Sequence, residues 1–126
     1  AAVLTIALAA PAVAAHAQGN NWKTLSTING GKIQACKVAT SKPGVWKVKL
    51  RVDARHAKSR VSGAAYVTKH DDNISHWKSG WVAKGHVSKV GTLRLHRGSA
   101  YALNAGIGTS AMGNGGSFHA GAIRGC

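Results

Sequence analysis

Glutamate does not occur in this chain, and aspartate occurs three times, as Asp53, Asp71 and Asp72. Against them stand 17 lysines and arginines, a formal net charge of +14 with histidine neutral. So few acids leave little room for carboxylate chemistry. A glycoside-hydrolysing pair would have to come from these three, and the adjacent Asp71 and Asp72 point to opposite sides of a strand. Cysteine is as scarce: Cys36 and Cys126 are the only two, which excludes a CxxC redox motif and a cysteine zinc cage. The two prolines are Pro11 and Pro43. One Phe and two Tyr make the four tryptophans the bulkiest core material of the chain. Beyond residue 17 no stretch of ten or more residues shows helical spacing with caps, which excludes an α-helical domain.

What is present begins with a different material. Residues 1–15 carry no charge and Thr5 as their one polar side chain, and Ala15-His16-Ala17 follows as a small-x-small pattern. The run is short for a membrane span and fits the apolar region and cleavage site of a secretory signal that begins partway through. The expectation is a cleaved leader over 1–17, a single domain over 18–126, and an extracellular location. In that setting Cys36 and Cys126 are expected to bond to each other. Such a bond closes a loop of roughly 90 residues, worth about 4–5 kcal/mol in the chain-entropy account, and fastens residue 126 to an early strand.

The domain is organised around Val45–Asp53. Trp46, Val48, Leu50 and Val52 fall on one side, and Lys47, Lys49, Arg51 and Asp53 on the other. Period two marks a strand with one face in a core and one in water. Trp22–Ile28 and Lys32–Thr40 flank the turn Asn29-Gly30-Gly31, and Ser41-Lys42-Pro43-Gly44 is a second turn. Arg60–Lys69 alternates with Val61, Gly63, Ala65 and Val67 inward. Ile74–Ala83 reads as an irregular strand pair or loop, Val87–His96 as a strand whose phase slips near Lys89–Val90, and Tyr101–Ile107 as another strand. Gly108–Ser117 reads as a Gly-rich loop, and Phe118, Ala120 and Ala122 mark a final strand, near Phe118–Arg124, which the disulfide would place beside Lys32–Thr40. Together these predict an all-β protein, a small antiparallel β-sandwich (Ig-like or jelly-roll-like) of about seven or eight short strands with one disulfide. Val45–Asp53 and Arg60–Lys69 are expected to form the central hairpin, Val52 facing Val61, Leu50 facing Gly63, Asp53 meeting Arg60 and Lys47 meeting Tyr66.

No catalytic motif accompanies this pattern. There is no Gly-x-Ser-x-Gly elbow, and the stretch Ile107–Gly116 lacks the Gly-Lys-Ser/Thr ending of a phosphate loop. His56, His70, His76, His86, His96 and His119 form no His-x-His or His-x3-His pair, and no metal or cofactor site is expected. His70-Asp71-Asp72 comes nearest to a site and reads as a polar turn. Trp77-Lys-Ser-Gly-Trp81 offers rings that could stack on sugars or bases, though core filling is the stronger reading.

The expected role is therefore a secreted cationic binding or structural module. Lys47, Lys49 and Arg51, with Arg55, Lys58, Arg60 and Tyr66, would meet anionic polymers of a cell envelope or extracellular matrix. Nucleic acid qualifies only by charge. The contrasting expectations are a small secreted hydrolase or nuclease with a His/Asp site, and a secreted antimicrobial or inhibitor protein.

Overall fold

The alternation of apolar and polar residues becomes eight strands in the computed structural model, which describes residues 21–126. The expected leader over 1–17 lies outside the described residues. In chain order the strands are β1 (Lys23–Ile28), β2 (Gly31–Ala39), β3 (Val45–Asp53), β4 (Val61–Lys69), β5 (Asp72–Val82), β6 (Gly91–His96), β7 (Tyr101–Gly108) and β8 (Gly113–Phe118). They form two antiparallel four-stranded sheets, ordered β1-β2-β3-β6 and β5-β4-β7-β8. The chain changes sheet three times, after β3, β5 and β6. No helix among the described residues is long and apolar enough to cross a membrane.

The inner faces are those the alternation marks. Val48, Leu50 and Val52 of β3 and Val61, Val67 and Leu103 of the second sheet are wholly buried, with Ala65 nearly so. Ile33 and Ala35 of β2 and Leu93 and Leu95 of β6 complete the first sheet's share of the core. Each buried Val or Leu contributes about 1.5–3 kcal/mol. Two tight turns set neighbouring registers: Asn29 and Gly30 between β1 and β2, and His70 and Asp71 between β4 and β5, all with positive φ. Two consecutive positive φ values match the right-handed twist of a hairpin.

The central hairpin does not form. β3 pairs with β2 (Val48 opposite Lys37, Leu50 opposite Ala35) and with β6, while β4 pairs with β5 and β7. Residues 54–60 carry the chain from one sheet to the other, so β3 and β4 stack face to face across the core. A Cβ added to Gly63 would overlap Val52 Cγ2 and come within 3.3 Å of Ile33 Cδ1. The buried Val52 thus sits over Gly63, not beside Val61. Period two reports which face is buried but not whether two buried faces lie side by side or opposed.

Four further expectations change. The Gly-rich segment holds a strand, β8, which pairs with β7 after the turn at 109–112. Its pairing overrides the poor strand propensity of Gly-Asn-Gly-Gly. The final strand expected near Phe118–Arg124 is instead the end of β8 followed by a 3-10 turn at Ala120–Ala122. All of Ile74–Ala83 but its last residue belongs to the continuous strand β5, which ends at Val82 and bulges at two points against β4. The strand expected over Val87–His96, with its slip near Lys89–Val90, is shortened to β6 at Gly91–His96: Ser88 bonds Val52 through both its N–H and its Oγ, and Val87 makes only an isolated bridge to Asp53.

Cys36 and Cys126 are bonded, with Cα atoms 4.9 Å apart. Residues 124–126 run parallel to β2, where Lys37 N–H donates to Arg124 O and Cys126 N–H to Lys37 O. They continue the sheet beyond the point where β1 stops. Asn114 Nδ2 of β8 donates to Thr27 O of β1 at 2.9 Å and links the two sheets along that flank.

Candidate functional site

The outward positions of β3 present Lys47, Lys49 and Arg51 to solvent from the middle of the first sheet, and alternate residues stand roughly 6.6–6.8 Å apart. Lys47 is exposed, and Lys49 and Arg51 are partly covered. The neighbouring strand adds a residue that sequence reasoning did not include. Arg94 of β6 lies directly opposite Lys47 in the register, and Thr92 opposite Lys49. Directly opposed residues have Cβ atoms about 4.5–5.5 Å apart, and like charges there are destabilising. Both ion pairs among the described residues involve Asp53, so Lys47, Lys49 and Arg94 face one another with no acid between them.

Arg51 is of a different kind. Its Nε donates to Gln34 Oε1 at 2.8 Å, its guanidinium lies 4.6 Å from the Trp22 ring centroid, and one nitrogen is 3.9 Å from Asp53. Burial pushes its pKa down, opposed by the Asp53 charge. It is a fastened side chain that ties β3 to β2 and to Trp22, just before β1. Asp53 is 5% exposed and its charge is fully engaged. The Arg55 side chain grips both carboxylate oxygens, at 3.0 and 2.8 Å, and the Arg55 backbone N–H donates to Oδ1. That grip first, and the neighbouring cations after it, hold the Asp53 carboxyl down at about 2 against the penalty of burial, and raise the Arg55 pKa in turn. Arg55 therefore has a structural partner of its own.

The remaining candidates are dispersed. Lys58 is exposed in the crossover, where its backbone bonds Asn29 O. Arg60 does not meet Asp53; its guanidinium lies 4.3 Å from the Trp81 ring centroid on the second sheet. Tyr66 stands on the outer face of that same sheet between His76 and Asn104, not across from Lys47. With the hairpin absent, the seven expected residues share no face: Lys47, Lys49 and Arg51 stand on the first sheet, Arg55 and Lys58 in the crossover, and Arg60 and Tyr66 at the second sheet.

Trp77 and Trp81 also part company. They are four apart and would share a face of a regular strand, but the bulge near Ser79 shifts the phase. Trp77 pairs with the buried Ala65, and Trp81 with the outward Ser62. Trp77 packs against the core beneath Gly91, where a Cβ would overlap the indole. Trp81 is 49% exposed. Core filling accounts for the first ring and leaves the second on the surface.

His70 and Asp71 occupy a tight exposed turn, His96 stacks on Tyr101 with centroids 4.6 Å apart, and His119 Nδ1 meets Tyr101 O at 2.8 Å. Among the described residues no three His, Cys, Asp or Glu side chains gather closely enough to hold a metal ion. Comparison with protein families, with curated proteins and with solved structures finds no match for this chain.

Proposed function

We propose that this protein is an exported binding module for anionic polymers of a cell envelope or extracellular matrix, held on the first sheet by Lys47, Lys49 and Arg94. The observation that carries this reading is the direct opposition of Lys47 and Arg94 beside Lys49 on an open face without an acid among them. The fold tolerates that repulsion, and a bound phosphate or carboxylate relieves it. The net charge of +14 adds long-range attraction. The Cys36–Cys126 bond supports export, because disulfides persist in oxidising compartments.

The test is the salt dependence of binding to heparin and to a single-stranded oligonucleotide. For the oligonucleotide, log Kd should depend linearly on log salt with a slope of about 0.7 per phosphate neutralised. Replacing Lys47, Lys49 and Arg94 by Ser should lower that slope by about two, with the fold retained. A control replacing Lys69, Lys84 and Lys89 by Ser removes the same charge elsewhere. Equal slopes in the two triple variants would mean diffuse attraction with no site on the first sheet.

A further inference from the structure

The second sheet turns a different kind of face outward. β7 and β8 contain no charged residue, and β4 contains one, Lys69 at its end. In a chain with 17 lysines and arginines, half of one sheet is thus free of charge. Its outward residues fall in rows across the strands. One row is His76, Tyr66, Asn104 and Ser117, and beside it run Lys78, Ala64, Gly106 and Gly115. A third row is Trp81, Ser62, Gly108 and Gly113.

On β4, β7 and β8 the first row stands as a bank over the other two, and the space beside it is an open trough of about 700 Å³. A second depression of about 430 Å³ shares Ala64 and Tyr66 with it and continues it towards β5. The glycines alone make no site, since they also let β7 and β8 approach: a Cβ on Gly115 would come 2.8 Å from Ala105 O. The bank is the telling feature. Tyr66 is 41% exposed and presents ring and hydroxyl. Asn104 is already oriented, because its Nδ2 donates to Thr68 Oγ1 at 3.3 Å and its Oδ1 accepts from the Ser117 hydroxyl. One amide hydrogen and one carbonyl lone pair of Asn104 stay available, as do acceptor positions on Ser117. Holding the amide in place lowers the entropy a ligand must remove.

We infer that this trough binds an uncharged polysaccharide laid across the four strands, its ring C–H groups on Tyr66 and its hydroxyls on Asn104 and Ser117. Three strand spacings give a bank about 14 Å long, enough for more than one sugar ring. The charge distribution selects this occupant over a nucleic acid. A phosphate backbone needs cations along its path, and here they stand only at the β5 end, in Lys78 and in the Arg60 that covers Trp81. The inference does not rest on the polyanion site, which lies on the opposite sheet.

Three hexasaccharides serve as probes, built of β-1,4-linked glucose, β-1,4-linked N-acetylglucosamine and α-1,4-linked glucose, with amide NMR as the readout. At least one should shift resonances of residues 62–66, 104–108 and 113–117 saturably. Its Kd should hold within about twofold between roughly 50 and 500 mM salt. Tyr66→Ala should weaken it by about tenfold or more. Ala64→Trp, which fills the trough and leaves the core alone, should abolish it. The triple Ser variant of Lys47, Lys49 and Arg94 should bind like the parent, which separates this inference from the polyanion reading. Absence of shifts with all three sugars overturns it, and so does parental affinity in Ala64→Trp. It fails equally if oligothymidylate shifts these resonances and loses them steeply with salt.

Discussion

Adding one methyl group at Gly63 distinguishes the observed sandwich from the hairpin that the alternation suggests. Gly63 faces inward from β4, and a Cβ there overlaps Val52 Cγ2 while coming within 3.3 Å of Ile33 Cδ1. Two carbons rest at about 3.5–4.0 Å, so β3 and β4 must move apart or Val52 must leave its rotamer. Overpacking of this kind costs about 1–3 kcal/mol. In a domain of this size that lowers Tm by roughly 4–8 °C per kcal/mol. Val52→Ala alone leaves a cavity and costs about 2 kcal/mol. The two changes share one space, so the double variant should be less destabilised than the sum by about 1 kcal/mol or more. Urea unfolding of parent, both single variants and the double variant gives the coupling. If the strands paired edge to edge, the same methyl would stabilise β4 by about 0.5–1 kcal/mol, because Gly weakens a strand interior. A neutral or stabilising Gly63→Ala, additive with Val52→Ala, would refute the face-to-face packing.

Other expectations follow from the same contacts. Replacing Cys36 and Cys126 by Ser should cost about 2–5 kcal/mol, read as a lower urea midpoint, and intact mass should rise by two hydrogens on reduction of the parent. Asp53 has its pKa held at about 2, below its unfolded value, so its contribution is full above about pH 4 and fades as the pH falls towards 2. The shift corresponds to about 2.4 kcal/mol, and solvent screening at the half-exposed Arg55 reduces this to about 1–2 kcal/mol. Asp53→Asn should therefore cost about that much at pH 7, and the gap to the parent should close by pH 2. A gap that stays constant over this range would contradict the pairing with Arg55.

Which residues face the core was legible in the sequence; which strands adjoin was not. Val48, Leu50 and Val52, and Val61, Ala65 and Val67, are buried as the period of two requires. The same pattern arises whether two strands share a sheet or face each other, so the partners of β3 could not be read from it. The importance of Arg94 is hidden for that reason: it shares the phase of Thr92 and His96, but its place opposite Lys47 depends on β6 joining β3. β8 was hidden because Gly113–Gly116 carries almost no side-chain signal, and its strand exists through pairing with β7. Trp77 and Trp81 share a face in the sequence pattern but not in the fold, because one bulged residue near Ser79 reverses the phase between them. Arg51 looked like a free cation, yet Gln34, Trp22 and Asp53, distant in sequence or easily overlooked, occupy it.

The bond between Cys36 and Cys126 has a mechanical meaning. Tension applied between residues 21 and 126 reaches the disulfide after passing only residues 21–36, so the 90-residue span behind it carries none of the load. With the bond intact the chain can lengthen by at most about 50 Å, and once it is reduced by about 360 Å. Six strands and part of a seventh, β2, lie within the covalent loop, including the whole second sheet and both proposed faces. Tension between residues 21 and 126 would therefore peel β1 away from β2, while the strand pairings behind the bond stay outside the path of the load.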